Sequence, residues 1–435
     1  MISAEQNDRI TRVGRGTPAG CLLRHYWQPI ALREELEGPR PARAVRLMGE
    51  DYVLFRDEQG RLGLLDRHCP HRGADLAYGR LENGGLRCLF HGWLFDVDGR
   101  CLDTPGEPEG SRLCEHIRQP SYPVLEKNGI VFAWVGPGEP AAFPAFDCFV
   151  APPAYTFAFK GRLDCNWLQA LEVGIDPAHA SFLHRFFRDE DPGESYGRQF
   201  RAASAGSAMP MTRVLRECAR PEIRAERAPW GMRLTALRAL SAAETHVRVT
   251  NLVFPQAFVI PMSADMTITQ WHVPVDDERC YWYAIFTSFG APVDRATMRA
   301  QRLALYALPD YVSRRNRTND WGFDPAEQAT ETFTGMGHDI NVHDQWACES
   351  MGAIQDRTRE HLGATDKAIV LYRRLLNQAI DVAARGEAPL MKLGADVAAG
   401  LTGPETLDGI APAAAWESHW QDAVRKRRAT APWRP

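Results

Sequence analysis

Two short stretches carry the residues best suited to bind metal: Cys69-Pro70-His71 and, sixteen residues further on, Cys88-Leu89-Phe90-His91. Two thiolates and two imidazoles make either a zinc site or an iron–sulfur cluster, and the spacing separates them. Structural zinc halves repeat one ligand type across two to five residues. Here each half contributes one Cys and one His, the first with a single residue between them. That suits a [2Fe–2S] cluster with both Cys on one iron and both His on the other, an exchange of thiolate for imidazole that raises the potential. Gly73, Gly79, Gly84, Gly85 and Gly92 allow the loops to turn tightly and aim N–H groups at the sulfides. His68 adjoins Cys69 but breaks the pattern and is read as non-ligating.

A second constellation is Asp176-Pro177-Ala178-His179-Ala180-Ser181-Phe182-Leu183-His184. Asp176 and His179, three apart, share a helix face, and a carboxylate on the outer nitrogen of a metal-bound His is the expected support. His179 and His184 stand about 140° apart around an ideal helix, so both reach one metal only if the helix bulges or ends between them. Without a metal, Asp176 reads as an N-cap with Pro177 at the first helical position. Two imidazoles and one carboxylate on one side of a metal form the site of non-haem Fe(II) oxygenases. The acid comes from His338-Asp339-Ile340-Asn341-Val342-His343-Asp344-Gln345-Trp346, in which Asp339 and Asp344 both qualify.

The elements that position these residues are bounded by a chain of 435 residues, 45% hydrophobic, enough for two to four domains. The clearest break is Gly136-Pro137-Gly138-Glu139-Pro140. Before it lie β-rich runs (52–55, 93–97, 130–135) and the turn Asp98-Gly99, the texture of a small all-β domain. After it a helix-like segment (167–187), strand-like runs (232–239, 246–254, 280–288) and late helices indicate a larger α+β domain. The best marked helix follows Thr365, read as N-cap, with Ile369, Tyr372, Leu376, Ala379, Ile380 and Ala383 at helical spacing. The end of the chain, with Arg425-Lys426-Arg427-Arg428, reads as a solvated charged tail.

A net charge of -4 argues against a phosphate-backbone partner. Ten Cys are too few for a disulfide scaffold, and Cys148, Cys165 and Cys280 sit in apolar surroundings as small hydrophobes. No apolar run approaches the ~20 residues of a membrane span, and the opening MISAEQNDRITRVGRGTP lacks the order of a secretory signal. The expectation is a cytoplasmic protein that does not bind nucleic acid.

Taken together, the motifs resemble the large subunit of Rieske non-haem iron aromatic-ring oxygenases of the phthalate-dioxygenase type. The resemblance rests on Cys69-Pro70-His71-Arg72-Gly73, Cys88-Leu89-Phe90-His91-Gly92-Trp93, Asp176 through His184, Glu349-Ser350-Met351-Gly352 and Asp356 through Gly363. It implies an α+β protein: a segment and Rieske β domain over residues 1–140, then a helix-grip iron domain over 141–435. It places the iron carboxylate on Asp344, five residues before Glu349, and the His179–His184 pair on an irregular helix. It further implies a trimer, alone or stacked, joined head to tail, with Asp176 linking His179 to the cluster ligand His91 of the next subunit. Other branches place Asn a turn before this Asp, where this chain has Glu172.

On this reading the protein is the terminal oxygenase of a two-component system. An NADH-dependent flavin and iron–sulfur reductase supplies electrons, since the chain shows no G-x-G-x-x-G signature. The expected reaction with O₂ is dihydroxylation of a phthalate- or benzoate-like aromatic carboxylate. The alternative is a monooxygenase acting as O-demethylase or aryl-ether oxygenase; a different class, a Rieske electron carrier, would make no use of His179, His184 and Asp344. The carboxylate rests on a register argument. If the runs 232–239 and 246–253 pair with residue numbers summing to 486, Arg238 and Arg248 stand opposite each other and require an anion between them. Arg213 is a third candidate.

Overall fold

The computed structural model describes residues 1–38, 42–189 and 209–434. Its N-terminal part is built from three small antiparallel sheets: 28–32 with 130–133 and 124–127; 42–47 with 50–56 and 62–66; and 80–82 through 85–87 and 94–95 to 101–103. Strand 50–56 contains the run expected at 52–55. A separate apolar cluster forms here, in which Val53, Phe55, Leu65, Leu76, Leu86 and Phe95 enclose Cys69 and Cys88. The two Cys-His motifs thus emerge from a core of their own, rigid enough to hold them in register.

The second part is organised by one large sheet, antiparallel throughout its long strands. Its order is β2 (Glu222–Ala228), β3 (Gly231–Ala239), β4 (Glu244–Val253), β5 (Ala257–Pro261), β6 (Met266–Pro274), β7 (Cys280–Ser288) and β1 (Thr156–Leu163). A further strand, β8 (Leu407–Pro412), pairs with β4. The expected strands are present, β7 over the same residues and β3 and β4 extended by one or two.

Against this sheet pack helices α1 (Trp167–Gly174) and α4 (Lys367–Ala384), α3 (Ile340–Ser350) packs on α1, and the single turn α2 (Ala180–Leu183) follows α1. The segment expected as one helix over 167–187 is therefore broken. Gly174 sits so close to β5 that a Cβ there would stand 2.1 Å from the Phe258 ring. Ile175 then leaves helical geometry (φ −111°, ψ 13°), and Pro177 disfavours the helical region for Asp176.

Two other expectations change. The residue capping α4 is Asp366, not Thr365, although Ile369, Tyr372, Leu376, Ala379 and Ile380 form its buried face as the spacing indicates. The basic run near the end is not a solvated tail, because it lies on a helix over Trp416–Ala429 with Arg427 buried. Arg428 reaches Asp147 and Glu405. No helix among the described residues is long and apolar enough to cross a membrane.

Glu172 on α1 explains how that helix is tied down. It accepts from Arg357 Nη2 at 2.8 Å and from Arg373 Nε on α4 at 2.6 Å, and Arg373 also pairs with Glu360 at 2.5 Å. Burial works to raise the Glu172 pKa, but the two guanidiniums outweigh it and hold it below the usual value. A carboxyl depressed in the folded chain contributes stability above its unfolded pKa, and that contribution fades as pH falls through the folded value. Replacing Glu172 by Ala leaves the buried Arg357 with the neutral Asn7 as its side-chain partner and Arg373 with Glu360 as its one remaining counter-charge, a loss of about 3–5 kcal/mol. Thermal melts should show a lowered midpoint for this variant at pH 7, with the gap from wild type narrowing below the ordinary carboxylate range.

Candidate active site

The two Cys-His loops are built alike. The amide of Gly73 donates to the Cys69 carbonyl (2.8 Å) and that of Gly92 to the Cys88 carbonyl (3.1 Å), while Cys69 N and Cys88 N donate to Ala74 and Trp93. Both glycines have φ near +75°, where an L side chain is strained. Inside the pair, Cys69 and Cys88 lie buried in mutual contact; burial, with the neighbouring thiol, pushes Cys69 up to about 11. At the outer edge the His71 and His91 rings stand 4.4 Å apart between centroids, with Trp93 stacked on His71. A thiol pair behind an imidazole pair fits the two-iron arrangement. A single zinc would need all four donors within about 4 Å of one another. Among the described residues, the group of three or more donor atoms that does gather within 4.8 Å lies elsewhere, in His179, His184 and Asp344.

In that group the helix objection is met by the break itself. His179 precedes α2 and His184 follows it with φ −105°, outside the helix, so the chain turns the second ring back towards the first. His179 Nε2 and His184 Nε2 come to 3.2 Å, and Asp344 Oδ1 lies 3.6 Å and 3.1 Å from them. Burial works to raise Asp344, but the imidazoles of His184, His179 and His343 hold it below its usual pKa. Asp339, the other candidate, caps α3 by accepting from Asn341 N at 3.0 Å. Asp176 stands 3.8 Å from His179 Nδ1, beyond hydrogen-bond reach, and its other oxygen accepts from Ala178 N. The outer nitrogen of His179 is buried without a partner.

Comparison with known proteins is consistent over both halves. The Rieske [2Fe-2S] domain model matches residues 26–123 and the "LigXa C-terminal domain like" model matches 134–423. Phthalate 4,5-dioxygenase oxygenase subunit of Pseudomonas putida is 35% identical over 90% of this chain and 89% of its own. The chain belongs to the Rieske non-haem iron oxygenases. Within them it is of the phthalate-dioxygenase type. The 5,5'-dehydrodivanillate O-demethylase oxygenase subunit of Sphingobium is 33% identical over 89% of this chain and 83% of that one. A crystal structure of dicamba monooxygenase bound to dicamba has a similar fold (TM-score 0.57, 20% identity, 83% of this chain and 99% of that one).

This Rieske oxygenase is thus the oxygenase component of a multicomponent system and carries a [2Fe–2S] cluster and a mononuclear non-haem iron. A cavity of about 260 Å³ opens beside His179, His184 and Asp344, walled by Val173, Leu215, Phe258 and Ile260 and by both Arg238 and Arg248. A larger cavity of about 350 Å³ between the two parts is lined by Lys160 and Arg67. Both of these cations are answered, by Glu35 and Asp75.

The register differs from the expected one. Arg238 pairs with His246 and Arg248 with Ala236, so partners sum to 484 rather than 486. A shift of two leaves both arginines on the same face, as diagonal neighbours instead of opposite ones. They are also unequal. Arg248 is held by Asp408 at 2.5 Å, and Asp408 also faces His246 at 3.2 Å. Arg238 is 1% exposed and donates from Nη2 to Pro177 O and Ser181 Oγ. Its Nε and Nη1 have no partner, and burial, then Arg248, pushes its pKa down to about 10. Arg213 is not brought to the cavity: it pairs with Asp189 on an exposed surface. Sequence reasoning missed Asp408, which lies 160 residues from Arg248 and meets it only through the β4–β8 pairing. It also passed over His343, whose signal was its place beside Asp344.

Proposed function

We propose that this oxygenase acts on an aromatic carboxylate, dihydroxylating the ring with O₂ and with electrons from an NADH-dependent flavin and iron–sulfur reductase. The observation that carries the reading is Arg238, a buried guanidinium with unanswered donors in the wall of the apolar cavity beside His179, His184 and Asp344. Burying an unpaired charge is costly, and a ligand carboxylate would relieve it with a charge-assisted bond. Relatives named for phthalate, phenoxybenzoate and 3-chlorobenzoate support the class. The O-demethylase relative supports the second reading, a monooxygenase acting on an aryl ether.

In the proposed assignment Cys69, His71, Cys88 and His91 hold the cluster, and His179, His184 and Asp344 hold the iron. When bound, these groups supply single electrons and activate O₂. The protein's own part is positional: Phe258, Ile260 and Leu215 exclude water around the ring, and Arg238 orients its carboxylate. Asp408 neutralises Arg248, so that one cation, not two, addresses the ligand. Exposed Leu89 and Phe90 beside the cluster motif, and Phe182 and Phe333 beside the iron motif, support a head-to-tail trimer. In it Asp176 would lie between His179 and the partner subunit's His91.

Changing His179, His184 or Asp344 to Ala should drop iron from about three per chain to about two while the reduced protein keeps the rhombic, low-average-g resonance of a mixed Cys/His cluster. Asp176→Asn should leave both counts unchanged and slow single-turnover electron transfer severely. Arg238→Met should raise KM for a benzoate or phthalate about tenfold or more, with Arg238→Lys recovering part of the loss. Unchanged KM in Arg238→Met, or faster turnover of an uncharged aryl ether than of any benzoate, would favour the second reading.

A further inference from the structure

His343 is fully buried on α3, next to Asp344 in the chain, and has no part in the assignment above. Its Nε2 lies 2.8 Å from the carbonyl of Gly337. A carbonyl only accepts, so Nε2 carries the proton and Nδ1 of the neutral ring presents a lone pair. That Nδ1 faces His184 Nδ1 at 3.4 Å. Two lone pairs cannot face each other, so His184 carries its proton on Nδ1 and leaves Nε2 bare. Nε2 is the atom that points at His179 Nε2 and Asp344 Oδ1.

The far end of this relay is firmly placed. Gly337 N donates to Glu327 Oε1 at 2.7 Å, and Arg315 donates to the preceding carbonyl of Met336 at 2.7 Å. Gly337 has φ +81°, and a Cβ there would stand 2.1 Å from Arg315 Nη1, so the carbonyl direction depends on glycine.

We propose that His343 is a positioning residue for the mononuclear iron, fixing His184 in the tautomer and ring orientation that offer Nε2 to the metal. The inference rests on the reading of His184 as an iron ligand. The surroundings of the two outer nitrogens then differ in kind: that of His179 has the Asp176 carboxylate 3.8 Å away, beyond hydrogen-bond reach, while a neutral imidazole anchored on backbone serves His184. Loss of such an outer partner weakens metal binding by about 10–100-fold.

The test is anaerobic calorimetric titration of Fe(II) into cluster-loaded protein stripped of mononuclear iron, with the Co(II) ligand-field spectrum and the melting midpoint recorded for each variant. His343→Leu keeps the bulk but not the acceptor, and should bind Fe(II) about 10–100-fold more weakly, with a shifted Co(II) spectrum. His343→Gln can accept from His184 through Oε1 and donate to Gly337 through Nε2, and should restore both. Wild-type affinity and spectrum in His343→Leu would overturn the proposal. So would a His343→Gln variant as weak as His343→Leu at an unchanged melting midpoint. If His184→Ala still bound Fe(II) tightly, the ligand reading itself would fail, a result separable from either of these.

Discussion

Three lone-pair donors brought together in a partly buried pocket are the constraint on which the rest of this structure depends. His179, His184 and Asp344 aim two nitrogens and an oxygen at one point, each within 3.6 Å of the others. Groups at such distances share a proton or a cation between them, so the surrounding protein must hold the segment 176–184 and α3 in place around that point. It does so through α1, tied by Glu172 to Arg357 and Arg373, and through Gly174 packed onto the Phe258 ring. Interactions far from this point thereby set the distance between two imidazoles.

The same segment connects the proposed iron site to the adjoining cavity. Arg238 braces it by donating to Pro177 O and Ser181 Oγ, and its Nε and Nη1 are buried without a partner in a residue that lines the cavity. One side chain thus shapes the loop that carries the His pair and charges the wall of the adjoining cavity. Arg248, a diagonal neighbour on the next strand, is neutralised by Asp408 from a third strand. Unequal pairing of two nearby arginines creates direction in an otherwise apolar pocket.

The cluster motif is organised on a different principle. Each of its loops is closed by one amide-to-carbonyl bond onto a Cys and one glycine of positive φ, and both grow from a small apolar core that is separate from the main one. Local geometry suffices there, because all four side chains come from 23 consecutive positions, Cys69 to His91. The proposed iron site instead gathers residues 160 positions apart, and only the large sheet and its helices bring them into contact.

That contrast separates what the sequence determined from what tertiary structure decided. Ligand types, the Cys-His spacing, the strands and the α4 face were legible because each follows from local periodicity or turn chemistry. The H-x₄-H pair was legible as residues but not as geometry, since that depends on α2 stopping at Leu183 and His184 leaving helical geometry, an ending the spacing of the motif does not dictate. Asp344 and Asp339 looked equivalent in the sequence; which one caps α3 and which faces the imidazoles depends on how that helix docks. Strand register was misjudged by two because a two-residue slip preserves the buried face, so the hydrophobic pattern cannot detect it. Asp408 and the His343–His184 contact left no local trace at all: hydrogen bonds between side chains far apart in the chain exist only once the backbone has been folded around them.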